Sequence, residues 1–311
     1  MASCFVTRRL PGTALERLEA QHDVEVWAER LPPSAAELRA GAGEAEGLLC
    51  LLTDRIDAEL LEFCPHLCAI SNYAVGTDNV DLAAAAARGI AVGVTPDVLT
   101  EATADLAFAL LLAAARRLVE ADAEVRGGDW VTWEPARLLG HDVHGATLGI
   151  IGRGRIGSAV ARRAEGFSME IVHTGSDSSR AELDELLARS DFVTIHCPLT
   201  PDTRGLIGAR ELSLMKPTSI LVNTARGPIV DGDALAVALR DRRIAGAALD
   251  VTDPEPLPPE HSLLDSPGLI VVPHVGSATH SAREAMADLA VDNLLAALAG
   301  ARMPSPATPP D

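Results

Sequence analysis

Arg226, Glu255 and His274 each stand just beyond an apolar run of the kind that forms a buried strand. Ligands of open α/β sheets bind beyond the carboxyl ends of the strands, so these three side chains can converge although they are far apart in the sequence. A histidine, a carboxylate and an arginine together can transfer a proton and hold an anion. The pattern therefore predicts one site built from three strand ends.

The chemistry that suits this set is the reversible reduction of a 2-oxo acid. Hydride transfer to a ketone carbon leaves negative charge on the oxygen, and histidine is the usual proton donor near neutral pH. Glu255 would stabilise the imidazolium form of His274, and the planar guanidinium of Arg226 can bind a carboxylate. Taken singly, each residue has an ordinary explanation as a surface ion pair, a solvated loop carboxylate or a turn cap. Their coincidence at strand ends favours the site.

A glycine motif in the middle of the chain predicts the dinucleotide site that such a reduction needs. Gly152 ends a predicted strand at residues 147–152, and Gly154 and Gly157 lie between it and a predicted helix at residues 158–167. Strand, glycine turn and helix in this order indicate a dinucleotide-binding unit. The first glycine permits the tight turn, the second lets the backbone approach a pyrophosphate, and the third lets helix and strand pack closely. The helix N-terminus then faces the phosphates.

The elements around this motif predict an α/β unit with six strands, the number in a complete dinucleotide-binding sheet. The predicted strands are residues 147–152, 169–174, 191–197, 219–224, 245–251 and 269–273. Ahead of them, residues 101–125 are predicted to form one long helix that ends at two glycines. Its apolar side is predicted to contain Leu106, Leu110, Leu111, Leu118 and Val125. A helix this apolar must be covered by its own domain or by a second subunit.

Residues 1–97 alternate short strands with helices, which predicts a first parallel sheet with helices on its faces. The predicted strands are residues 4–7, 24–26, 47–52, 67–71 and 91–94. A last helix at residues 283–299 is expected to return to this domain, and the proline-rich tail, residues 303–311, to be ordered only where it touches the body. The predicted domains are residues 1–98 plus 283–311, and residues 99–282.

Composition excludes several classes of protein. A formal net charge of −18 argues against nucleic-acid binding, which needs clustered Lys and Arg. The longest apolar run, residues 106–115, is too short for a membrane span of about 20 residues. The five scattered cysteines suggest no disulfide framework, which favours a reducing, cytoplasmic location. Cys64, His66 and Cys68 lack a second ligand pair, so no metal is predicted.

Several segments, together with the glycine motif, resemble the D-isomer-specific 2-hydroxyacid dehydrogenases. These segments are NYAVGTDN (72–79), TPDVLT (95–100), NTARG (223–227), LDVTDPEP (249–256) and PHVGSAT (273–279). The resemblance covers essentially the whole chain and is closest to the glyoxylate reductase/hydroxypyruvate reductase branch of the family. It implies an α/β fold with two doubly wound parallel-sheet domains, a Rossmann cofactor domain and a flavodoxin-like substrate domain.

The resemblance also implies roles for the predicted site residues. His274 would be the acid/base, Glu255 its partner and Arg226 the anchor of the substrate carboxylate. The backbone N–H groups of Val75 and Gly76 would complete the carboxylate site. The family is typically a homodimer, formed through the long helix and the loop after it, and this arrangement makes Trp133 in that loop a candidate to reach the partner's active site.

The cofactor implied is NADP or NAD, with Asp250 where the family holds the nicotinamide amide. The residues predicted to bind the cofactor are Thr103, Gly152, Gly154, Arg155, Ile156, Gly157, His173, Thr174, Gly175, Cys197, Pro198, Thr203, Thr224, Ala225, Asp250, His274 and Gly276.

The end of the second cofactor-domain strand departs from the pattern of NAD enzymes. They carry an acidic residue there to bind the ribose 2′-hydroxyl, whereas this chain has Thr174, Gly175 and Ser176. The absence of that acid favours NADPH, and Arg153 or Arg180 are the candidates to bind a 2′-phosphate; Asp177 opposes this preference. Residues 176–190 also form a shorter segment than is usual in the family. The side of the cofactor site that contacts the adenine is therefore expected to be built differently.

The predicted reaction is the reduction of glyoxylate to glycolate and of hydroxypyruvate to D-glycerate. A phosphoglycerate or aryl-pyruvate substrate is the alternative within the family, but residues 51–54 offer no basic cluster for a phosphate. Formate dehydrogenases fit poorly because their pattern has Gln where Glu255 stands. A NAD-sensing corepressor-like scaffold is a different class of function, and it would need a partner groove or disordered tails.

Overall fold

A computed structural model describes residues 1–307, which fold into two compact units. The first unit contains Met1–Leu99 and the chain from Ala278 onward, and the second contains Thr100–Ser277. The predicted division placed the boundaries after residue 98 and after residue 282. Both units are α/β with parallel sheets, so the predicted fold class is confirmed.

The first unit has a five-stranded sheet in the order β2-β1-β3-β4-β5, in which all neighbouring strands are parallel. This is the flavodoxin-like order. The strands are β1 (Ser3–Val6), β2 (Asp23–Val26), β3 (Gly47–Cys50), β4 (Ala69–Asn72) and β5 (Ala91–Gly93). The helices between them are α1 (Ala14–Glu19), α2 (Ala35–Ala42), α3 (Ala58–Glu62) and α4 (Leu82–Ala87).

The C-terminal helix α11 (His280–Leu298) packs on β3, β4 and α1 of this unit, and it begins three residues before its predicted start. Its side chains Met286, Ala290 and Leu294 are buried. The tail then pairs antiparallel with β5 at Pro306, so the contact expected of the tail is present. Residues 308–311 of the predicted tail lie outside the described residues.

The second unit has a six-stranded parallel sheet in the order β11-β10-β9-β8-β6-β7. The strands are β6 (Thr147–Ile151), β7 (Glu170–Thr174), β8 (Phe192–Ile195), β9 (Ile220–Asn223), β10 (Gly246–Leu249) and β11 (Leu269–Val271). All six lie within the predicted runs. Because β7 and β8 pair with opposite sides of β6, β7 is an edge strand and the strand order reverses between β6 and β8. This order differs from the 3-2-1-4-5-6 order of a six-stranded dinucleotide sheet.

Helices cover both faces of this sheet. They are α5 (Thr100–Ala115), α6 (Leu118–Gly127), α7 (Arg155–Glu165), α8 (Arg180–Arg189), α9 (Ala209–Leu214) and α10 (Gly232–Arg240). Side chains alternate along the strands: Ile150 and Val222 pack in the cluster with α5 and α7, while Ile195 and Leu221 pack in the cluster with α8, α9 and α10. A parallel sheet buried on both faces explains why its strands read as nearly continuous apolar runs.

The prediction of one long helix over residues 101–125 is wrong, because the helix breaks after Ala115. The backbone of Arg117 is left-handed, with φ 51°. The carbonyl of Ala115, which a continuous helix would use internally, accepts a hydrogen bond of 2.8 Å from the N–H of His141. A Cβ on Gly140 would lie only 2.2 Å from that carbonyl oxygen, so the returning loop takes the place of the next helical turn.

The break also changes the predicted apolar side. Leu110 and Leu111 of α5 are buried, but Leu118 and Val125 of α6 are more than half exposed within the chain. None of the α6 residues is buried. The helix after the glycine motif was predicted over residues 158–167, and it instead begins at Arg155 and ends at Glu165.

Candidate active site

His274 and Glu255 form a direct pair at the carboxyl ends of β10 and β11. The Nδ1 atom of His274 lies 2.5 Å from Oε1 of Glu255. The backbone of His274 is left-handed, with φ 53°, and its N–H donates to the carbonyls of Asp250 and Val272 at 2.9 and 3.0 Å. Both side chains are partly exposed. The imidazole is therefore held through one nitrogen, which leaves Nε2 as the nitrogen that can exchange a proton with a substrate.

Asp250 holds the loop that follows His274. Its carboxylate accepts hydrogen bonds from the N–H groups of Val275 at 2.6 Å and Gly276 at 2.9 Å. Burial raises the pKa of the Asp250 carboxyl, and these two hydrogen bonds oppose that shift. A Cβ on Gly276 would lie 3.0 Å from Oδ2 of Asp250 and 3.4 Å from Cγ2 of Thr103. Asp250, Gly276 and Thr103, all predicted cofactor positions, are thus neighbours.

Arg226 follows β9, the neighbour of β10, and its loop is fixed by Asn223. The side chain of Asn223 donates to the carbonyl of Arg226 at 2.9 Å and accepts from the N–H of Ala225 at 3.0 Å. A Cβ on Gly227 would lie 1.9 Å from the carbonyl oxygen of Thr252, so only glycine allows this loop to pass so close to the Glu255 loop. The three predicted side chains therefore stand on the ends of three adjacent strands.

Asn223 and Thr252 are site residues that the sequence analysis did not identify. Thr252 donates from Oγ1 to the carbonyl of Pro254 at 2.8 Å, and its N–H faces Oε2 of Glu255 at 3.4 Å. Asn223 is fully buried at the last position of an apolar strand. A single amide at the end of such a run was the signal that could have indicated it.

The glycine loop has the geometry that a pyrophosphate requires. Gly152 has φ 91°, and a Cβ there would lie 2.5 Å from the backbone nitrogen of Cys197. A Cβ on Gly157 would lie 2.3 Å from the carbonyl oxygen of Gly152, while the space beside Gly154 is open. Helix α7 begins at Arg155, followed by Ile156. The first N–H groups of a helix have no intrahelical acceptor. This open cradle fits a dinucleotide phosphate.

The other predicted cofactor positions lie at the ends of neighbouring strands. Thr174 ends β7, and its carbonyl accepts the N–H of Gly152 at 2.9 Å, whereas His173 and Gly175 are exposed. In the loop after β8, Thr203 donates from Oγ1 to the carbonyl of Pro198 at 2.7 Å and so closes that loop.

Two buried polar atoms near these ends have no partner among the described residues, namely Nδ1 of His196 and Oγ1 of Thr224. Burial lowers the pKa of His196 to about 4, so its ring is neutral at neutral pH. Burial also raises the pKa of the Cys197 thiol to about 11, which keeps it protonated. An unpaired hydroxyl on Thr224, beside the partly buried Ala225, is consistent with a polar ligand at this end of the sheet.

The two arginines considered for a 2′-phosphate differ in their surroundings. Arg180 is paired with the buried carboxylate of Glu211, so its charge is already matched by a carboxylate. Arg153 is exposed in the glycine loop, and the structure shows no ion pair for it among residues 1–307. Asp177 accepts a hydrogen bond of 3.2 Å from Ser176.

The remaining predicted residues lie on exposed backbone or loops. Val75 and Gly76 follow β4 in the first unit, and within residues 1–307 no acceptor for their N–H groups is found. Trp133, in the loop after α6, is 79% exposed. Across the described part of the chain, no cluster of three metal-ligating side chains exists, and no helix has the length and hydropathy that crossing a membrane requires.

Comparison with known proteins agrees with this geometry. The model of the D-isomer specific 2-hydroxyacid dehydrogenase NAD-binding domain matches residues 108–276. A relative named glyoxylate reductase from Korarchaeum cryptofilum is 48% identical over 305 residues, which is 94% of this chain and 91% of that protein. A second protein of that name, from Thermococcus gammatolerans, is 49% identical over 306 residues, with coverage of 94% and 91%.

Solved structures show the same similarity over nearly the whole chain. The TT0316 protein from Thermus thermophilus is 50% identical, with a TM-score of 0.93 and coverage of 98% of this chain and 100% of that chain. A Sinorhizobium meliloti NADPH-dependent glyoxylate/hydroxypyruvate reductase, solved with NADP and malonate, is 35% identical, with a TM-score of 0.87 and coverage of 99% and 97%. The chain therefore belongs to the D-isomer-specific 2-hydroxyacid dehydrogenases and is an NAD(P)-dependent dehydrogenase of that family.

Proposed function

We propose that this protein reduces glyoxylate to glycolate and hydroxypyruvate to D-glycerate. The observation that carries the proposal is the His274–Glu255 pair, which stands beside the Arg226 loop on the strand ends of a dinucleotide-binding sheet. The names of the relatives, glyoxylate reductase, support the same substrate class. When bound, the reduced nicotinamide supplies a hydride to the keto carbon.

His274 is proposed to give its Nε2 proton to the keto oxygen as negative charge develops there. Glu255 accepts the Nδ1–H and stabilises the imidazolium, so that the proton for transfer stands on the other nitrogen. In the oxidative direction the neutral ring takes the hydroxyl proton back. The left-handed backbone of His274, fixed by two carbonyls, keeps the ring in one orientation.

Arg226 is proposed to bind the substrate carboxylate through its guanidinium fork, which matches a carboxylate in geometry and charge. Asn223 holds the Arg226 backbone, so the residue that carries the guanidinium is fixed at the strand end. The N–H groups of Val75 and Gly76 are proposed to bind the same carboxylate, and their lack of an acceptor among residues 1–307 supports this role.

The substrate is proposed to be small and without a phosphate. Within residues 51–54 the only ionisable side chain is Asp54, which is buried. No basic cluster stands there to bind a phosphate. Phosphoglycerate and aryl-pyruvate substrates stay the alternatives.

NADPH is the proposed cofactor. The end of β7 presents Thr174 and Gly175 without an acidic side chain that would repel a 2′-phosphate. Arg153 is exposed in the glycine loop and carries the charge that such a phosphate needs. The Sinorhizobium meliloti relative was solved with NADP.

A homodimer is the proposed assembly, formed through α6 and the loop after it. The exposed apolar side chains on this stretch are Leu118, Val119, Val125, Trp130, Val131, Trp133 and Leu139. Contiguous exposed apolar residues mark protein contacts. A second copy of the chain is the partner that the family resemblance implies, and Trp133 stays the candidate to reach the partner's site.

Steady-state kinetics with glyoxylate, hydroxypyruvate, pyruvate and phenylpyruvate, each with NADPH and NADH, test the proposal. We expect the highest kcat/KM with glyoxylate or hydroxypyruvate, and a higher value with NADPH than with NADH. A preference of about tenfold or more for NADH, which corresponds to about 1.4 kcal/mol, would contradict the cofactor assignment. Absence of turnover with intact NAD(P) binding would contradict the enzymatic function and favour a scaffold.

Substitution of His274 tests the site itself. H274A is expected to lower kcat by roughly 10²–10⁴ because general acid catalysis is lost, with little change in the KM for NADPH. The exposed His66 offers a matched control, since H66A removes a histidine of the first unit that has no role in the site. Near-normal kcat in H274A would show that the acid is another group.

A further inference from the structure

Two asparagines, Asn72 and Asn79, are joined by a hydrogen bond between their side-chain amides beside the Val75–Gly76 backbone. Asn72 donates from Nδ2 to Oδ1 of Asn79 at 3.0 Å, and Nδ2 of Asn79 lies at a longer 3.3 Å from Oδ1 of Asn72. The second hydrogen of Asn72 Nδ2 goes to the carbonyl of Gly76 at 3.0 Å. We call Asn72 and Asn79 the amide clamp. It ties the end of β4 to the loop that follows it.

The amide clamp also reaches the loop after β3. Nδ2 of Asn79 donates to the carbonyls of Leu51 at 3.0 Å and Asp54 at 3.1 Å. Asn72 is fully buried, and its Oδ1 also accepts a hydrogen bond of 3.6 Å from the thiol of Cys50. An amide group has two N–H donors and one acceptor oxygen. The two hydrogens of Asn72 Nδ2 have one acceptor each, and the two of Asn79 Nδ2 are shared among three acceptors. Buried amides whose hydrogen bonds are all made rigidify their surroundings.

Backbone hydrogen bonds and the amide clamp together fix three peptide planes around Val75 and Gly76. The N–H of Ala74 donates to the carbonyl of Asn72 at 2.7 Å, and the carbonyl of Ala74 accepts the N–H of Thr95 at 2.8 Å. Because a trans peptide is planar, fixing the Ala74 carbonyl also fixes the direction of the Val75 N–H. The amide clamp fixes the carbonyl of Gly76 on the far side. The Gly76 N–H therefore lies between two held peptide planes.

We propose that Asn72 and Asn79 are positioning residues for substrate binding: they hold the N–H groups of Val75 and Gly76 in the orientation that receives the substrate carboxylate. The inference rests on the proposed function, because it assigns those N–H groups to the carboxylate. It goes further by identifying the side chains that orient these N–H groups. Neither asparagine contacts the substrate in this account, and their effect is carried by the Gly76 carbonyl and the Leu51–Asp54 loop.

Substitution of Asn79 tests this role, because Asn79 is only partly buried and links both loops. N79A removes the donors to Leu51 and Asp54 and the side-chain oxygen that accepts one N–H of Asn72. We expect the KM for glyoxylate to rise about tenfold or more because the N–H groups of Val75 and Gly76 are no longer held in one orientation. The inhibition constant of oxamate, an unreactive carboxylate analogue, is expected to rise in parallel, while kcat and the KM for NADPH change by less than about threefold.

D57A is the matched control. Asp57 lies in the same unit and caps α3 by accepting the N–H of Leu60 at 3.0 Å, so its loss also removes a side-chain hydrogen bond to the backbone. D57A is expected to lower Tm without raising the KM or the oxamate constant. If N79A does not fold, N79S, whose hydroxyl keeps one donor, is measured in the same way and should show a smaller rise.

The inference is overturned if the Asn79 variant binds glyoxylate and oxamate as the wild type does. It is also overturned if D57A raises the KM for glyoxylate and the inhibition constant of oxamate as much as the Asn79 variant does. Failure of the proposed function gives a different result, namely wild-type protein that does not reduce glyoxylate at all.

Discussion

At the scale of single residues, Asp54 couples the folding of the first unit to pH. Its carboxylate is buried beneath the strand ends and accepts hydrogen bonds from Oγ1 of Thr7 and from the N–H of Leu51 at 2.7 Å. Burial is the largest influence and raises the pKa of the Asp54 carboxyl above its ordinary value, although both hydrogen bonds oppose the shift. The folded state therefore binds this proton more tightly than the unfolded chain does.

A stability measurement on D54N follows from that shift. As pH rises from the ordinary Asp pKa through the raised folded value, the folded protein must ionise a buried group and loses stability. Asparagine cannot ionise, and its amide oxygen can keep both hydrogen bonds. We expect the Tm of D54N relative to wild type to be higher at about pH 8 than at about pH 4. A difference in Tm that is independent of pH would contradict this prediction.

Residue patterns located the strand-end positions of His274, Glu255 and Arg226 better than they located the contacts around them. His274, Glu255 and Arg226 are recognisable because each follows a strand, and parallel strands bring their carboxyl ends to one edge. Arg180 was a candidate for a 2′-phosphate, and its ion pair with Glu211, far along the chain, could not be predicted from the sequence. Such a pairing depends on how α8 and α9 pack, and no local spacing records it.

At the scale of elements, the break between α5 and α6 shows the limit of hydrophobic periodicity. The apolar positions continue through residues 101–125 at helical spacing, so the pattern alone gives one helix. The break is made by the loop that returns to the Ala115 carbonyl through His141. Because a tertiary contact supplies this hydrogen bond, the helix end has no sequence signal of its own. Strand positions were easier to predict, since each strand is a compact apolar run.

The end of α6, in contrast, has a clear local cause that can be tested. Gly128 has φ 83°, and the N–H groups of Gly128 and Asp129 return to the carbonyls of Val125 at 3.2 Å and Glu124 at 3.0 Å, which is the Schellman pattern. Space beside Gly128 is open, so G128A should cost about 1 kcal/mol through backbone strain alone.

Gly232, at the start of α10, provides the control for that substitution. A Cβ there also meets open space, but its φ is not left-handed. G232A is expected to leave stability unchanged or to raise it slightly, because alanine restricts the unfolded chain. Chemical denaturation of both variants gives the comparison, and equal effects would remove backbone strain as the explanation.

At the scale of the whole molecule, the assembly can be tested through the exposed apolar side chains after α5. We expect the wild type to have a mass in solution of twice the chain's 32.5 kDa. V125D places a charge on α6, where Val125 is 56% exposed, and should shift the protein toward the monomer because a buried unpaired charge is costly. Light scattering coupled to size exclusion measures both masses.

Leu31 supplies the control for the assembly test. It is 75% exposed in the first unit, outside the stretch proposed to form the interface. L31D should therefore retain the dimeric mass. A monomeric wild type, or equal dissociation by both variants, would exclude α6 as the contact.

The position of β7 at the sheet edge has a consequence for how this fold can be altered. Among the described residues, β7 pairs only with β6, and the five residues 175–179 lead directly from it into α8. The outer side of an edge strand offers unpaired backbone groups, which natural proteins guard with charged side chains, as Glu170 and its partner Arg189 do here. Lengthening the connection at residues 175–179 therefore breaks no existing strand pair. The second sheet is open to growth at this edge, and a grafted strand and helix could extend it there while every other strand keeps its neighbours.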